Sequence, residues 1–221
     1  ENFRRLPSVE ADLQIVPSAD AEAGAGDSDL IVRWAQQRPW RLNLSVDDAG
    51  SPATGRLQSA LSLAIDHGLT LNDLFYVTFS DAVGDKRPGP RDTRSRSVHY
   101  SLPLREWLLS VTHGDWDYYQ SIAGRNGTII YSGNSRSGDL ALGRLLHRDA
   151  QRKTSGSLRL WHRSSANFID DAELLQQRRA TGGWELGLSH RERLGTAVLD
   201  ANLAFRRGTG AFGAAAAPEE A

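Results

Sequence analysis

The stretch WRLNLSVD, from Trp40 to Asp47, decides the fold of this chain. Its residues alternate strictly, because Trp40, Leu42, Leu44 and Val46 are separated by Arg41, Asn43, Ser45 and Asp47. Successive side chains of a strand point to opposite faces, so the stretch predicts a strand with one apolar and one polar face. About nine segments share this alternation, and the clearest of the others are 57–66, 75–80, 98–102, 107–111, 184–188 and 197–206.

The connections between these segments are alternately long and short. On one side we expect long connections at 48–56, 82–97, about 121–139, 164–179 and from 208 onward. On the other side we expect short ones at 66–72, 103–106, 147–154 and 191–195. Membrane β-barrels have this rhythm, since their extracellular loops are longer than their periplasmic turns. A soluble β-sandwich would show the same residue alternation, so the rhythm of the loops is what favours a barrel.

The composition is compatible with that interpretation. Hydrophobic residues make up 39% of the 221 residues, and the mean hydropathy is -0.45; barrel strands are apolar only at alternate positions, so neither value excludes a membrane protein. No run of 18 apolar residues is present, which argues against a transmembrane helix. The net charge of -1 argues against a nucleic-acid partner.

Residues 1–36 differ from the rest of the chain. Glu1–Leu6 is expected to be a helix end stopped by Pro7, and strands are expected at Asp12–Val16 and Leu30–Trp34. This predicts the end of a small α/β module, joined to the strand series from residue 37 with almost no linker. The chain begins with Glu1 and shows no signal peptide, so we expect it to be a piece of a longer protein.

Enzyme and metal sites find little support. His162 with Ser164, Ser165 and Asn167 is the nearest approach to a hydrolase cluster, but no nucleophile-elbow glycine pattern accompanies it. The acid pairs at 47–48 and 170–171 could bind cations in outer loops, although solvated loop acids are more common. HExxH motifs and cysteines are absent. We therefore expect no catalytic residue, no metal site and no cofactor.

Segments along nearly the whole chain resemble two-partner secretion transporters, the haemolysin secretion and activation proteins of the ShlB/FhaC/HecB (TpsB) family. The segments that carry the resemblance are FRRLPS (3–8), DLQIVPS (12–18), RPWRLNLSVDDAG (38–50), TGRLQSALSL (54–63), LNDLFYVTFS (71–80) and WELGLSHRERLGTAVLDANLAFRRGTGAFG (184–213). The family's plug loop, with its VRGY-like tip, has no match here.

The resemblance implies a mainly β fold in two parts. Residues 1–36 would be the C-terminal part of a periplasmic POTRA domain. Residues 37–221 would be about nine of the sixteen strands of a transmembrane antiparallel β-barrel. The implied function is an outer-membrane pore, without catalytic chemistry, that secretes a partner exoprotein: an adhesin, a haemolysin or a contact-dependent inhibition toxin. Outer-membrane lipid and lipopolysaccharide would be the other partners. The alternative is a soluble all-β module that binds carbohydrate or protein.

A barrel would divide the strand residues between two environments. The residues expected to line the lumen are Arg41, Asn43, Ser45, Gln58, Thr78, Ser110, Thr112, Arg159, Glu185, Ser189, Asp200, Asn202 and Arg206. The residues expected to face lipid are Trp40, Leu42, Leu44, Val46, Trp107, Leu109, Val111, Leu186, Leu188, Leu199, Leu203 and Phe205. Trp40 and Trp107 begin their strands, where an aromatic girdle would lie at the headgroups.

Overall fold

A computed structural model of the chain describes residues 5–18, 24, 26–84, 90–125 and 127–215. These residues are almost entirely β-structure. The strands are β1 (Val9–Pro17), β2 (Ser28–Gln36), β3 (Trp40–Asp47), β4 (Gln58–Asp66), β5 (Leu74–Ala82), β6 (Arg91–Leu104), β7 (Trp107–Ala123), β8 (Thr128–Arg148), β9 (Arg152–Ile169), β10 (Ala172–Glu173), β11 (Arg179–Leu194) and β12 (Ala197–Thr209). Single 3₁₀ turns lie at Leu175–Gln177 and Ala211–Gly213. In this part of the chain, no helix has the length and apolar character needed to span a membrane.

The strands form two antiparallel sheets. β1 and β2 pair with each other over their whole length. The large sheet has the order β12-β11-β9-β8-β7-β6-β5-β4-β3, and the two-residue β10 pairs with β9 beside it. Neighbours in this sheet are neighbours in sequence apart from β10, so it is a meander of hairpins, as the sequence predicts.

Strand β3 has the predicted bounds, Trp40–Asp47. The predicted helix end is not present at Arg5 and Leu6, which form a bend before Pro7, and residues 1–4 lie outside the described residues. The two N-terminal strands are longer than predicted, because pairing of β1 with β2 extends to Val9 and Gln36. The mainly β, antiparallel character of the chain is therefore as predicted, and a helix at Arg5–Leu6 is not.

Several outer connections are much shorter than predicted. Residues 121–139 were expected to be a loop, but β7 continues to Ala123 and β8 begins at Thr128, leaving only 124–127 between them. In the same way β6 begins at Arg91, within the expected loop 82–97. Both faces of these extensions carry polar residues, so the alternation that marks a strand in the sequence is lost there. Each outer connection is still longer than the turn that follows it.

The ends of the strands shift steadily along the sheet. Below, "inner end" means the end of the sheet that carries the connections 67–73, 105–106, 149–151 and 195–196. Trp40 is the first residue of β3, at the inner end. Following direct pairing partners from Trp40 across the sheet leads to Arg207 on β12. Arg207 lies ten residues from Ala197, the inner end of β12. Ten residues over eight strand-to-strand steps correspond to a strand tilt of about 40°, within the range found in β-barrels.

Very little of the described chain is packed as an apolar core. The buried apolar residues are Leu6, Val9 and Ala11, which all belong to the N-terminal segment. Within the described residues, the large sheet has no second layer on its apolar face. The largest fully buried side chains outside the N-terminal segment are Asp66 and Asp73, two acids at the inner end of the large sheet.

Candidate functional site

The thirteen residues expected in the lumen all lie on one face of the large sheet, called the polar face below. Directly paired residues of neighbouring strands share a face, and the register links Asn43 to Ser62 and Thr78. Further along the sheet it links Arg159 to Glu185 and Arg206. Spacings of two residues place the other members of the set on the same face: Arg41, Ser45, Gln58, Ser110, Thr112, Ser189, Asp200 and Asn202.

The twelve residues expected to face lipid all lie on the opposite, apolar face: Trp40, Leu42, Leu44, Val46, Trp107, Leu109, Val111, Leu186, Leu188, Leu199, Leu203 and Phe205. A continuous apolar row crosses six strands of this face through Leu102, Leu109, Leu142, Leu158, Leu186 and Phe205. These side chains are not packed on another layer, and Leu203 remains 71% exposed. An apolar surface of this extent requires an apolar partner, since single exposed leucines are common but a continuous belt is not.

The apolar belt ends toward the outer loops. Beyond Val98 and Val111, the same face presents Arg96, Asp115 and Arg136 side by side on β6, β7 and β8. Arg136 is 3.4 Å from Asp115 and is largely exposed. This change from apolar to charged residues marks a polar outer margin to the belt.

Two tryptophans on the apolar face stack with arginines. The Arg144 guanidinium lies 4.9 Å from the ring centroid of Trp107, its direct partner across the strands. Arg38 lies 5.9 Å from the ring of Trp40. Both contacts are within cation–π distance. Each tryptophan starts its strand from the inner end, so amphipathic groups stand at that margin of the belt.

The middle of the polar face carries matched ion pairs. Arg159 Nε and Nη2 lie 2.7 and 2.5 Å from Asp139 Oδ1. Arg206 donates through Nε to Glu185 at 2.7 Å, and a second donor reaches the same carboxylate oxygen. Trp161 also projects from this face, with Arg206 6.0 Å from its ring. The middle of the polar face is therefore strongly polar, and each of these two arginines is balanced by a neighbouring carboxylate.

A buried carboxylate joins the small sheet to the large one. Asp66, at the inner end of β4, is completely inaccessible and accepts hydrogen bonds from the Ser8 backbone N–H at 3.0 Å and from Arg41 Nη2 at 2.9 Å. Arg41 Nη1 donates to Asp66 Oδ2, the same oxygen that accepts from Ser8. Gln37 N–H in turn donates to the Ser8 carbonyl. Charge-assisted bonds to a buried carboxylate are strong, so this joint fixes where the chain enters the large sheet.

Acidic side chains stabilise the turns at the inner end by accepting hydrogen bonds from backbone N–H groups. Asp73 accepts from the backbone N–H of Leu69 at 3.0 Å within the 67–73 connection. Asp149 accepts from the N–H groups of Gln151 and Arg152 at 2.8 and 2.7 Å. These backbone bonds, with His147, lower the pKa of Asp149 to about 2. Hydrogen bonding of this kind keeps the short turns in one conformation.

A cavity of about 1210 Å³ lies inside the curve of the sheet at its inner end. Residues of β6, β7, β8, β9, β11 and β12 line it together with Arg5, which precedes the first strand. Arg5 donates to the carbonyl of Asn72 at 2.6 Å and also to the Ser101 hydroxyl. Burial lowers the pKa of the Arg5 guanidinium, an effect that the nearby Asp73 opposes. The N-terminal segment therefore contacts the polar face directly.

The residues considered for an enzyme or metal site are not brought together. On β9, His162 and Ser164 lie on one face, and Ser165 and Asn167 lie on the other. The acids in the outer connections have structural partners: Asp47 and Asp170 accept from the backbone N–H groups of Ala49 and Ile130. Among the described residues, no group of three or more His, Asp or Glu side chains could hold a metal ion.

Sequence reasoning missed the joint at Asp66 and three cations at the inner end, Arg148, Lys153 and Arg191. In the sequence, Asp66 has the pattern of an ordinary polar residue at the end of a strand, and nothing local marks it as buried. The three cations are far apart in sequence and become neighbours only through strand pairing. The basic stretch HRDAQRK, 147–153, was the available signal for two of them.

Comparisons with known proteins agree with this geometry. The outer membrane transporter CdiB-2 of Burkholderia pseudomallei is 31% identical over 215 residues, which are 96% of this chain and 36% of that protein. The hemolysin transporter protein HpmB of Proteus mirabilis is 22% identical over 99% of the chain and 38% of its own length. The chain thus spans little more than a third of these relatives.

Solved structures of CdiB are similar in fold as well. CdiB from Escherichia coli superposes with a TM-score of 0.85 at 25% identity, over 97% of this chain and 39% of that one. CdiB from Acinetobacter baumannii gives a TM-score of 0.77 at 35% identity, over 94% and 38%. The family model for the haemolysin secretion/activation protein ShlB/FhaC/HecB matches residues 26–221. With most of its length matched, this chain belongs to the ShlB/FhaC/HecB family of haemolysin secretion/activation proteins.

Proposed function

We propose that this chain contributes the wall of an outer-membrane pore that secretes a partner exoprotein by two-partner secretion. The observation that carries the proposal is the uncovered apolar row from Leu102 to Phe205, which lies opposite a polar face with matched ion pairs. Lipid outside and water inside would satisfy both faces at once. A soluble module would need a second layer over the apolar face, and the described residues provide none.

In the proposed pore, residues 37–221 form about nine strands of a sixteen-stranded barrel. The tilt of about 40° obtained from the strand ends is the value that a membrane barrel requires. The uncovered edges of β3 and β12 would pair with further strands, since unpaired backbone groups are not tolerated in lipid. The thirteen polar-face residues would then line the lumen, and the twelve apolar-face residues would contact lipid.

Residues 1–36 would be the end of a POTRA domain in the periplasm. The β1–β2 hairpin, and the contacts that the preceding residues Arg5 and Ser8 make with the inner end of the large sheet, support this placement. The inner end would then face the periplasm and the longer loops the cell exterior, where lipopolysaccharide would meet the charged margin around Arg96 and Arg136. The hairpin could bind the exported chain by strand addition to a free edge.

The exported partner is proposed from the family and from the names of the relatives. HpmB is named a hemolysin transporter and the CdiB proteins are named outer membrane transporters. A haemolysin, an adhesin or a contact-dependent inhibition toxin would suit such a pore. A wall without a deep binding site fits passage of an unfolded chain, because tight binding at any one point would stop it. No catalytic group is required.

The test uses the complete protein, expressed in a Gram-negative host with the exoprotein gene that neighbours it. We expect a band in the outer-membrane fraction that shifts on heating, together with exoprotein in the medium. Substitution of Leu158 by Arg should reduce both. A protein that stays in the aqueous fraction without a heat shift would refute the pore.

A further inference from the structure

We propose that Arg144 and Trp107 form a binding site for the phosphate of a membrane phospholipid at the inner margin of the apolar face. The inference rests on the proposed function, to which it adds a lipid-binding site and the chemistry of the head group. Trp107 is the first residue of β7, and Arg144 is its direct partner on β8. The Arg144 guanidinium lies 4.9 Å from the centroid of the Trp107 ring.

The charge of Arg144 is not balanced by an acid of the described chain. Among the residues that the structure describes, no carboxylate lies within ion-pair distance of Arg144, and no oxygen accepts a hydrogen bond from its guanidinium. Contact with an aromatic ring uses none of the five N–H donors of a guanidinium. These donors therefore remain available to an acceptor that comes from outside the chain.

Two other arginines of the apolar face show the contrast. Arg152, at the inner end of β9, lies 2.9 Å from Glu192, its direct partner on β11. Arg136, at the outer margin, lies 3.4 Å from Asp115. Each of these two charges has a carboxylate beside it, whereas Arg144 has an aromatic ring.

The side chains beside Arg144 are apolar and about half exposed. Leu104, the partner of Trp107 on β6, is 51% exposed, and Leu146 is 54% exposed. Leu146 lies over Gly156, the partner of Arg144 on β9, with its Cδ1 3.3 Å from the position that a Gly156 Cβ would take. A cation among exposed apolar groups matches an amphipathic ligand that has an anionic head and apolar chains.

The position of the site favours a phospholipid. The apolar row begins two residues along the same strands, at Leu109 and Leu142. Tryptophan is enriched where a membrane meets water, at the level of the lipid head groups. A phosphate bound by Arg144 at this level would leave the acyl chains of the same lipid lying on the apolar row.

The chemistry of the site favours a head group with net negative charge. A guanidinium can donate two parallel hydrogen bonds to the oxygens of one phosphate. Phosphatidylcholine carries a cation next to its phosphate, and phosphatidylglycerol does not. An exposed ion pair contributes up to about 1 kcal/mol, so we expect phosphatidylglycerol to bind about fivefold more tightly.

The experiment measures lipid binding to the complete protein by native mass spectrometry from detergent micelles. Phosphatidylglycerol and phosphatidylcholine with the same acyl chains are titrated separately, and the fraction of protein that retains one lipid is recorded. Half-saturation should occur at about fivefold lower concentration for phosphatidylglycerol. Glycerophosphoglycerol, the same head group without acyl chains, should not displace the lipid at an equal concentration.

Variants connect the preference to Arg144. Arg144→Gln should remove the preference, and Arg144→Lys should reduce it, because lysine keeps the charge but loses the planar pair of donors. The matched control is Arg152→Gln, which removes the same charge from the same face and the same end. It should leave the preference unchanged, because Glu192 already neutralises Arg152. Folding of each variant is checked by its heat shift on a gel.

The outcomes separate the lipid site from the proposed function. A heat-shifted barrel that binds both lipids equally overturns the lipid site alone. The same conclusion follows if Arg144→Gln keeps the preference, or if Arg152→Gln lowers it as much as Arg144→Gln does. Displacement by glycerophosphoglycerol would indicate a phosphate site without lipid, and tighter binding of lipid A would indicate an outer-leaflet ligand; either result overturns the proposal. A complete protein without any heat shift overturns the proposed function together with the lipid site.

Discussion

Replacing Leu158 by Arg should destabilise the protein in the membrane, whereas the same change at its neighbour Ser157 should not. Leu158 lies in the middle of the apolar row between Leu142 and Leu186, and 41% of it is exposed. Ser157 is on the opposite, polar face, between two glycines on the adjacent strands. The two sites share a strand and a depth and differ only in the face.

The expected cost follows from the depth of the site. Leu158 is six residues from Arg152, the inner end of β9. At about 3.3 Å per residue and a tilt of about 40°, it lies about 15 Å above the inner margin. That is close to the midplane of an apolar band about 25 Å tall, where arginine costs about 2–4 kcal/mol on the lipid face. For Ser157→Arg we expect a cost below about 1 kcal/mol, because the guanidinium would enter water.

Both variants of the complete protein would be folded into lipid vesicles and unfolded with urea, with tryptophan fluorescence and the heat shift as independent signals. Leu158→Arg should lower the midpoint strongly and Ser157→Arg only slightly. Equal effects, or a larger effect at Ser157, would refute the assignment of faces on which the proposed pore depends.

Three further substitutions test the joint, a close strand contact and a turn. Asp66→Ala leaves the buried Ser8 N–H without its acceptor and should cost about 2 kcal/mol of local stability. The distribution of spin-label distances between β1 and the 67–73 connection should broaden in this variant. It should not broaden in the control Asp48→Ala, which removes an exposed ion pair. Gly183→Ala would place its Cβ 2.2 Å from the Arg207 carbonyl oxygen and should cost about 1–3 kcal/mol in urea unfolding, unlike Gly138→Ala, where nothing lies within 4 Å. The pKa of Asp149 is depressed, so its stabilising effect should be complete above about pH 4 and decline toward pH 2. The difference in urea midpoint between wild type and Asp149→Ala should therefore shrink as the pH falls over that interval. A difference that stays constant would contradict the turn contacts.

Prediction from sequence succeeded where the alternation was clean. The segment from Trp40 to Asp47 has an apolar residue at every second position, and β3 has those bounds in the structure. It failed at 121–139, where the sequence SIAGRNGTIIYSGNSRSGD suggests a loop but β7 and β8 continue through most of it. Beyond the apolar belt both faces of a strand contact polar surroundings, so the residue pattern no longer distinguishes strand from loop. There, strand formation follows from pairing with a neighbour that is already in place.

The sequence by itself determined the division of each strand into two faces, because side-chain direction alternates with every residue wherever a strand forms. It also determined the meander order, since short turns such as 195–196 permit only antiparallel neighbours. The tertiary structure alone decided which residues face each other across strands, such as those of the apolar row through Leu158 and the ion pairs of Arg159 and Arg206. The physical reason is that register depends on hydrogen bonding between segments distant in sequence. The burial of Asp66 is of the same kind, because it requires Ser8, just before β1, to meet Arg41 of the large sheet.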